Sequence, residues 1–154
     1  MKSLKLKVVI AAFAAISGSA AIADTMDMTV RARVNGACRM VTAPLVNFGT
    51  LNQVTAPDLT LPSVDVQYRC TKDLVPGTFT IGGSATGTYT GAVGNGTDTI
   101  PYTLTWSPAA VTAGLGMAVG QEVNVGVVGA MTGTDYQSVS AGVYSQTVTI
   151  EVLP

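Results

Sequence analysis

The sequence predicts an all-β protein, a single domain built as a sandwich of two sheets. Apolar residues recur at every second position through most of the chain, which is the strand signal. Clusters of Gly, Pro, Asn and Asp separate these runs at short intervals, as in β-sandwiches. The composition agrees. Of 154 residues 47% are apolar and only 11% charged, against a usual charged share of about a quarter. Such a chain is too apolar for disorder and about one domain long.

The first segment stands apart. Lys2, Lys5 and Lys7 precede the apolar run Val8–Ile16, Ser17-Gly18-Ser19 breaks it, and Ala21-Ile22-Ala23 places small residues where a signal peptidase reads. The run is too short to span a membrane core that needs about 20 residues. Residues 1–23 are therefore expected to be a cleaved secretory signal, with no transmembrane segment in the mature chain. Loss of three of the eight basic residues, against nine acids, leaves a net charge of −4 from Asp24 onward.

Strands are then expected in order. Met26, Met28, Val30, Ala32 and Val34 alternate with Asp27, Thr29, Arg31 and Arg33. Short candidates follow at Arg39–Thr42 and Val46–Thr50. Val64, Val66, Tyr68 and Cys70 alternate with Asp65, Gln67 and Arg69, and Gly77–Gly82 is a further short candidate. Gly82–Gly96 reads as a loose hairpin or loop. Ile100, Tyr102, Leu104 and Trp106 form the next stripe, Val123, Val125 and Val127 another, and Tyr144, Val148, Ile150 and Val152 the last. Pro57-Asp58, Pro76-Gly77, Gly94–Asp98 and Gly133–Asp135 supply turns. Ala109–Val119 comes nearest to a helical period, but Gly114 and Gly116 interrupt it.

Secretion decides how the two cysteines are read. Cys38 and Cys70 have no second pair and no His to complete a zinc site. In an oxidising compartment they are expected to form one disulfide, worth about 3–4 kcal/mol in the chain-entropy model. A redox or nucleophilic thiol lacks both a C-x-x-C spacing and a base.

The remaining chemistry is mostly exclusion. The chain has no histidine, so the usual Ser and Cys triads are ruled out, and the commonest metal ligand is missing. Net acidity removes the electrostatic footprint for nucleic acid. Gly82-Gly83-Ser84 and Gly114-Leu115-Gly116 match neither phosphate-loop pattern, and no calcium loop or nucleophile elbow occurs. No cofactor, metal or catalytic residue is expected. Asp58, Asp65, Asp73, Asp98 and Asp135 sit where turns and exposed strand positions carry Asp. A hydrolase built on two converging carboxylates is the remaining enzymatic alternative. Asn95-Gly96-Thr97 fits a glycosylation acceptor and, better, a hairpin turn. Trp106 reads as core rather than as a sugar platform.

The alternating stretch before Cys38 has two readings. A terminal strand can tie into its own sheet, or it can pair with the open edge of another subunit. About ten residues at 3.3 Å each reach some 33 Å, enough to cover a sheet edge.

At this point a family resemblance appears. An alternating N-terminal segment leads into Asn35-Gly36-Ala37-Cys38. Val46-Asn47-Phe48-Gly49 follows, then a strand ending in Tyr68-Arg69-Cys70, then Ile100-Pro101-Tyr102-Thr103-Leu104. Gly142-Val143-Tyr144 finally leads into Thr147-Val148-Thr149-Ile150. In order and spacing this resembles the spore coat protein U family, whose relatives include pilin subunits of archaic chaperone–usher pili. The family places an acid shortly after the final Gly-x-Tyr, where this chain has Ser145-Gln146.

The resemblance implies an incomplete immunoglobulin-like β-sandwich completed by a donor strand from another chain. It divides the protein into the signal peptide, a donor segment at residues 24–35 and a sandwich at 36–154. Met26, Met28, Val30, Ala32 and Val34 are the implied donor residues. Val148, Ile150 and Val152 line the implied acceptor groove, while Cys38–Cys70 ties the first strands together. The implied partners are a periplasmic chaperone, an outer-membrane usher and neighbouring subunits in a pilus or coat at the cell surface. A self-contained secreted module binding carbohydrate or surfaces, including a tip-adhesin domain, is the competing expectation.

Overall fold

The computed structural model describes residues 26–42, 44–107 and 111–154. The expected signal peptide, Asp24 and part of the Ala109–Val119 stretch lie outside these residues. Val34–Pro154 form one compact unit, and the fold below is that unit's.

Eight strands and one helical turn make it up. They are β1 (Cys38–Thr42), β2 (Leu59–Thr60), β3 (Val64–Cys70), β4 (Thr78–Ile81), β5 (Thr88–Gly94), β6 (Thr99–Trp106), β7 (Val123–Met131), α1 (Gly133–Tyr136) and β8 (Ile150–Leu153). The larger sheet runs β1-β3-β7-β6-β5, with β2 beside the end of β7, and the smaller pairs β4 with β8. Every pairing is antiparallel. The protein is an all-β sandwich, as its alternation predicts.

The alternating stripes become the core. Val66, Tyr68, Cys70, Ile100, Leu104, Trp106, Val123, Val125 and Val127 are buried and pack on Phe79 and Ile81 from the smaller sheet. In β7 the burial alternates strictly along the strand, so one face belongs to the core. Cys38 and Cys70 are directly paired in the β1–β3 register and joined by a disulfide. Ala37 extends this pairing by accepting from Thr71 N at 2.9 Å.

Several expectations are corrected. Of the two readings of Gly82–Gly96, the hairpin holds and the loop does not: β5 pairs with β6 over seven residues, from Thr88↔Thr105 to Gly94↔Thr99. Glycine hides the strand in the sequence. At Gly91 a Cβ would lie 2.7 Å from Gln146 Oε1 and 2.9 Å from the Tyr102 hydroxyl, so the position has no room for the side chain that would show the pattern. The hairpin closes at Asn95–Asp98, where Asn95 Oδ1 accepts from Thr97 N and Asp98 N, the turn favoured over a glycosylation site. Gly133–Asp135 belongs to the helical turn α1 rather than a plain turn. Val46–Thr50 forms no strand, and neither does Met26–Val34; neither segment has a ladder partner.

Arg69 also departs from its expected outward position. It is buried at 6% exposure because Glu122, on the approach to β7, pairs with it: Arg69 Nε donates to Glu122 Oε1 at 3.0 Å and Nη2 contacts the same oxygen. That pairing satisfies a cation which would otherwise be costly to bury.

Candidate functional site

Two stretches without strand pairing lie along one side of the sandwich. After β1 the chain runs through Pro44–Gly49 without strand pairing, with Val46 and Phe48 half-buried and Leu45 and Asn47 exposed. At the other end of the sequence, Ser145 pairs with Gly94 on the margin of β5. Gly82 N then donates to Thr149 O at 2.8 Å, and β8 joins β4. The C-terminal run thus crosses from the larger sheet to the smaller. Residues 146–149 belong to no strand on the way.

Between these two rims lies an apolar cleft of about 170 Å³. Leu45, Val46 and Phe48 line one side, and Gln146, Val148 and Ile150 the other. Its floor is the core itself, with Val66 and Val127 from the middle of the larger sheet and Ile81 from the smaller. A wider, shallower depression of about 980 Å³ continues past it, lined by Leu45, Val54, Tyr136 and Val143 among others.

Of the residues expected at this site, Val148 and Ile150 line the cleft. Val152 does not: it lies further along β8, opposite Phe79 of β4. Met26, Met28, Val30 and Val34 are exposed, Met26 at 90% and Val30 at 79%, and Ala32 is exposed as well. The rim Leu45–Phe48 was missing from the expected site, although its alternation immediately after β1 is the signal that marks it. Gln146 was missing too, and only the fold places it beside the tyrosines of β5 and β6.

One polar network interrupts the cleft wall. Tyr102 donates its hydroxyl to Gln146 Oε1 at 2.7 Å, and Gln146 Nε2 donates to the Tyr89 hydroxyl at 3.3 Å. Burial, helped by the neighbouring Tyr89, pushes the Tyr102 phenol up to about 12, so it remains a neutral donor. Tyr68 is also raised by burial, against the smaller opposing effect of Thr112 N, which donates to its hydroxyl oxygen at 3.1 Å.

Three of the carboxylates have structural partners. Ser140 Oγ and N donate to Asp98 and hold its carboxyl below its usual range. Arg69 does the same for Glu122. Asp58 Oδ1 accepts from Gly133 N at 2.8 Å. Among the described residues no group of His, Cys, Asp and Glu is placed to hold a metal ion. No helix among them is long and apolar enough to cross a membrane.

Comparison with known proteins returns one family. No curated protein and no solved structure matches the chain significantly. The model of the Spore Coat Protein U domain matches residues 24–151, the family that the order of the motifs resembles. With so much of the chain matched, and with a β-sandwich carrying the Cys38–Cys70 bridge, the protein belongs to the Spore Coat Protein U domain family.

Proposed function

We propose that the protein is an exported structural subunit of a surface fibre or coat, polymerising by donor-strand exchange through a chaperone–usher route and supporting adhesion or biofilm formation. The observation that carries this reading is the cleft, in which the unpaired Leu45–Phe48 segment and the C-terminal run flank apolar side chains of the core. An added strand there would gain ladder hydrogen bonds from the rims and bury alternate side chains.

The segment at residues 24–35 is the donor in this reading. Met26, Met28, Val30, Ala32 and Val34 occupy one face of an extended chain and are exposed in their own subunit. Seating four or five such side chains in a neighbour contributes on the order of 1.5–3 kcal/mol each before entropy losses. Val148 and Ile150, with Val46 and Phe48 opposite, receive them. A periplasmic chaperone fills the cleft first, and at the outer-membrane usher the next subunit's donor replaces it.

The test is electrophoresis of the exported protein without heating or reduction, for wild type and for Val30→Asp. Strand exchange predicts a heat-sensitive ladder from wild type and monomers from Val30→Asp, which still binds a synthetic peptide of residues 24–35. A sharp wild-type monomer that also survives deletion of residues 24–34 would favour a self-contained binding module instead.

A further inference from the structure

Asparagine precedes glycine at Asn35-Gly36 and at Asn95-Gly96, and the fold holds the two pairs in opposite ways. A glycine leaves its backbone nitrogen unshielded by any side chain, so that nitrogen can reach the Cγ of the asparagine before it. The other asparagines precede Phe48, Gln53 and Val125, whose side chains crowd that approach.

Asn95 is locked. Its Oδ1 accepts from Thr97 N at 2.8 Å and from Asp98 N at 2.7 Å, and its Nδ2 donates to Ser140 Oγ at 3.1 Å. Ser140 is fixed in turn, because its N donates to Asp98 Oδ2 at 2.7 Å. The side-chain amide is thus engaged at both its oxygen and its nitrogen.

Asn35 and Gly36 are exposed and belong to no strand. Anchoring begins at the next residue, where Ala37 N donates to Thr71 Oγ1 at 3.0 Å and Thr71 N donates to Ala37 O at 2.9 Å. A Cβ at Gly36 would come within 3.2 Å of Leu74 Cδ2, so the fold itself favours the residue that leaves this nitrogen open.

We propose that Asn35-Gly36 is a site of spontaneous backbone modification. Gly36 N attacks Asn35 Cγ, the bond from Cγ to the side-chain nitrogen breaks, and ammonia leaves with the proton given up by Gly36 N. Water then opens the resulting cyclic imide at either carbonyl, giving aspartate or isoaspartate. Each product adds a negative charge, and isoaspartate also routes the main chain through Cβ, lengthening it by a carbon. At Asn95 the same reaction must first break the bonds to Oδ1, which slows it by at least about tenfold.

The timing of the modification rests on the strand-exchange reading. Asn35-Gly36 is all that separates Val34 from the anchored Ala37. With Val34 seated in a neighbour, the pair is held at both ends and loses the freedom to fold back on itself. The reaction therefore marks subunits whose donor is unseated, and in those it places the new charge and the added carbon directly beside the donor.

The test incubates two exported proteins for days in mildly alkaline buffer: wild type, and Val30→Asp, whose donor stays unseated. Val30 is exposed, so folding is not at stake in the substitution. Each protein is then digested, and mass spectrometry follows the fragment from Val34 to Arg39 and the fragment that holds Asn95. In Val30→Asp a gain of about one mass unit is expected at Asn35 at least about tenfold faster than at Asn95, and the two rates converge when the incubation is done in urea. Equal rates without urea, or no gain at Asn35, would overturn the modification. Assembled wild type is expected to react at Asn35 at least about tenfold more slowly than Val30→Asp. Equal rates in a wild type that forms the heat-sensitive ladder would overturn the protection by seating. A wild type that forms no ladder would defeat the strand-exchange reading and the protection with it, while the fragment map of Val30→Asp would still decide the modification.

Discussion

The middle of the larger sheet and the margin of the sandwich are written in the same residue pattern but reach different ends. Val123–Val127 and Val46–Phe48 both alternate apolar with polar residues. The first segment is paired along its whole length by β3 and, at Val127, by β6 as well, and its valines are buried. The second has no ladder on either side, and its inward side chains stay half-exposed beside the cleft. Alternation reports which side chains face a core. It carries no information on whether the backbone has a partner, and in this protein the proposed acceptor cleft is where those two properties separate.

Substitutions that empty the middle are expected to act most strongly. Tyr68 is fully buried and its hydroxyl exchanges hydrogen bonds with Thr112. Tyr68→Ala should lower unfolding free energy by about 3–5 kcal/mol. The half-buried rim residue Val148 should lose only about 1 kcal/mol on Val148→Ala in an isolated subunit. Urea denaturation of both variants checks the contrast, and equal losses would mean the cleft wall is as much core as the floor.

The disulfide comes next. Joint Cys38→Ser and Cys70→Ser substitution opens a loop of sequence separation 32 and should cost about 3–4 kcal/mol. Because β1 leads directly into the Leu45–Phe48 rim, hydrogen exchange should rise first in β1 and that rim while β6 and β7 stay protected. A uniform rise would place the bridge in support of the whole sheet instead.

A smaller effect separates the floor from the rim. At Gly129 in β7 an added Cβ would lie 2.9 Å from Val46 Cγ1 and 3.2 Å from Phe48 Cζ. Overpacking in a closed core costs about 1–3 kcal/mol, but these neighbours belong to an unpaired segment that can yield. Gly129→Ala should therefore lose under about 1 kcal/mol of stability, yet weaken binding of a residue 24–35 peptide roughly tenfold, a difference of about 1.4 kcal/mol. Calorimetric titration gives the second number. Unchanged peptide affinity would detach Val46 and Phe48 from the site.

This contrast also explains what the sequence could and could not convey. β3, β6 and β7 were legible because side-chain pattern and backbone pairing coincide there. β5 was hidden by Gly91 and Gly94, whose missing side chains erase the alternation. Arg69 was placed outward because its partner Glu122 is 53 positions away, beyond the range of any local pattern. Val148, Ile150 and Val152 were named for the groove only through the family resemblance; of these Val148 and Ile150 line the cleft, while Val152 lies further along β8. Gln146 was not legible, because a glutamine among threonines and valines gains meaning only from the two tyrosines that the fold brings to it.

The finest test of the comparison lies at that glutamine, where the floor of the sandwich meets its margin. Tyr102 is buried at 6% exposure yet bonds outward to Gln146. Tyr102→Phe removes one hydrogen bond, expected to cost about 0.5–1.5 kcal/mol at neutral pH. The alkaline limb is more informative. The folded Tyr102 phenol titrates near 12 against an ordinary value of 10.0, so the folded state holds its proton more tightly than the unfolded chain. Stability from this source is intact below pH 10 and is lost as pH rises toward 12. Tyr102→Phe should flatten that decline, and the part remaining belongs to Tyr68, raised in the same direction. Thermal melts from pH 7 to 11 read both quantities. If the variant kept the full alkaline decline, the phenol would be open to solvent, and Gln146 would belong to a loose margin rather than to a wall anchored on the core.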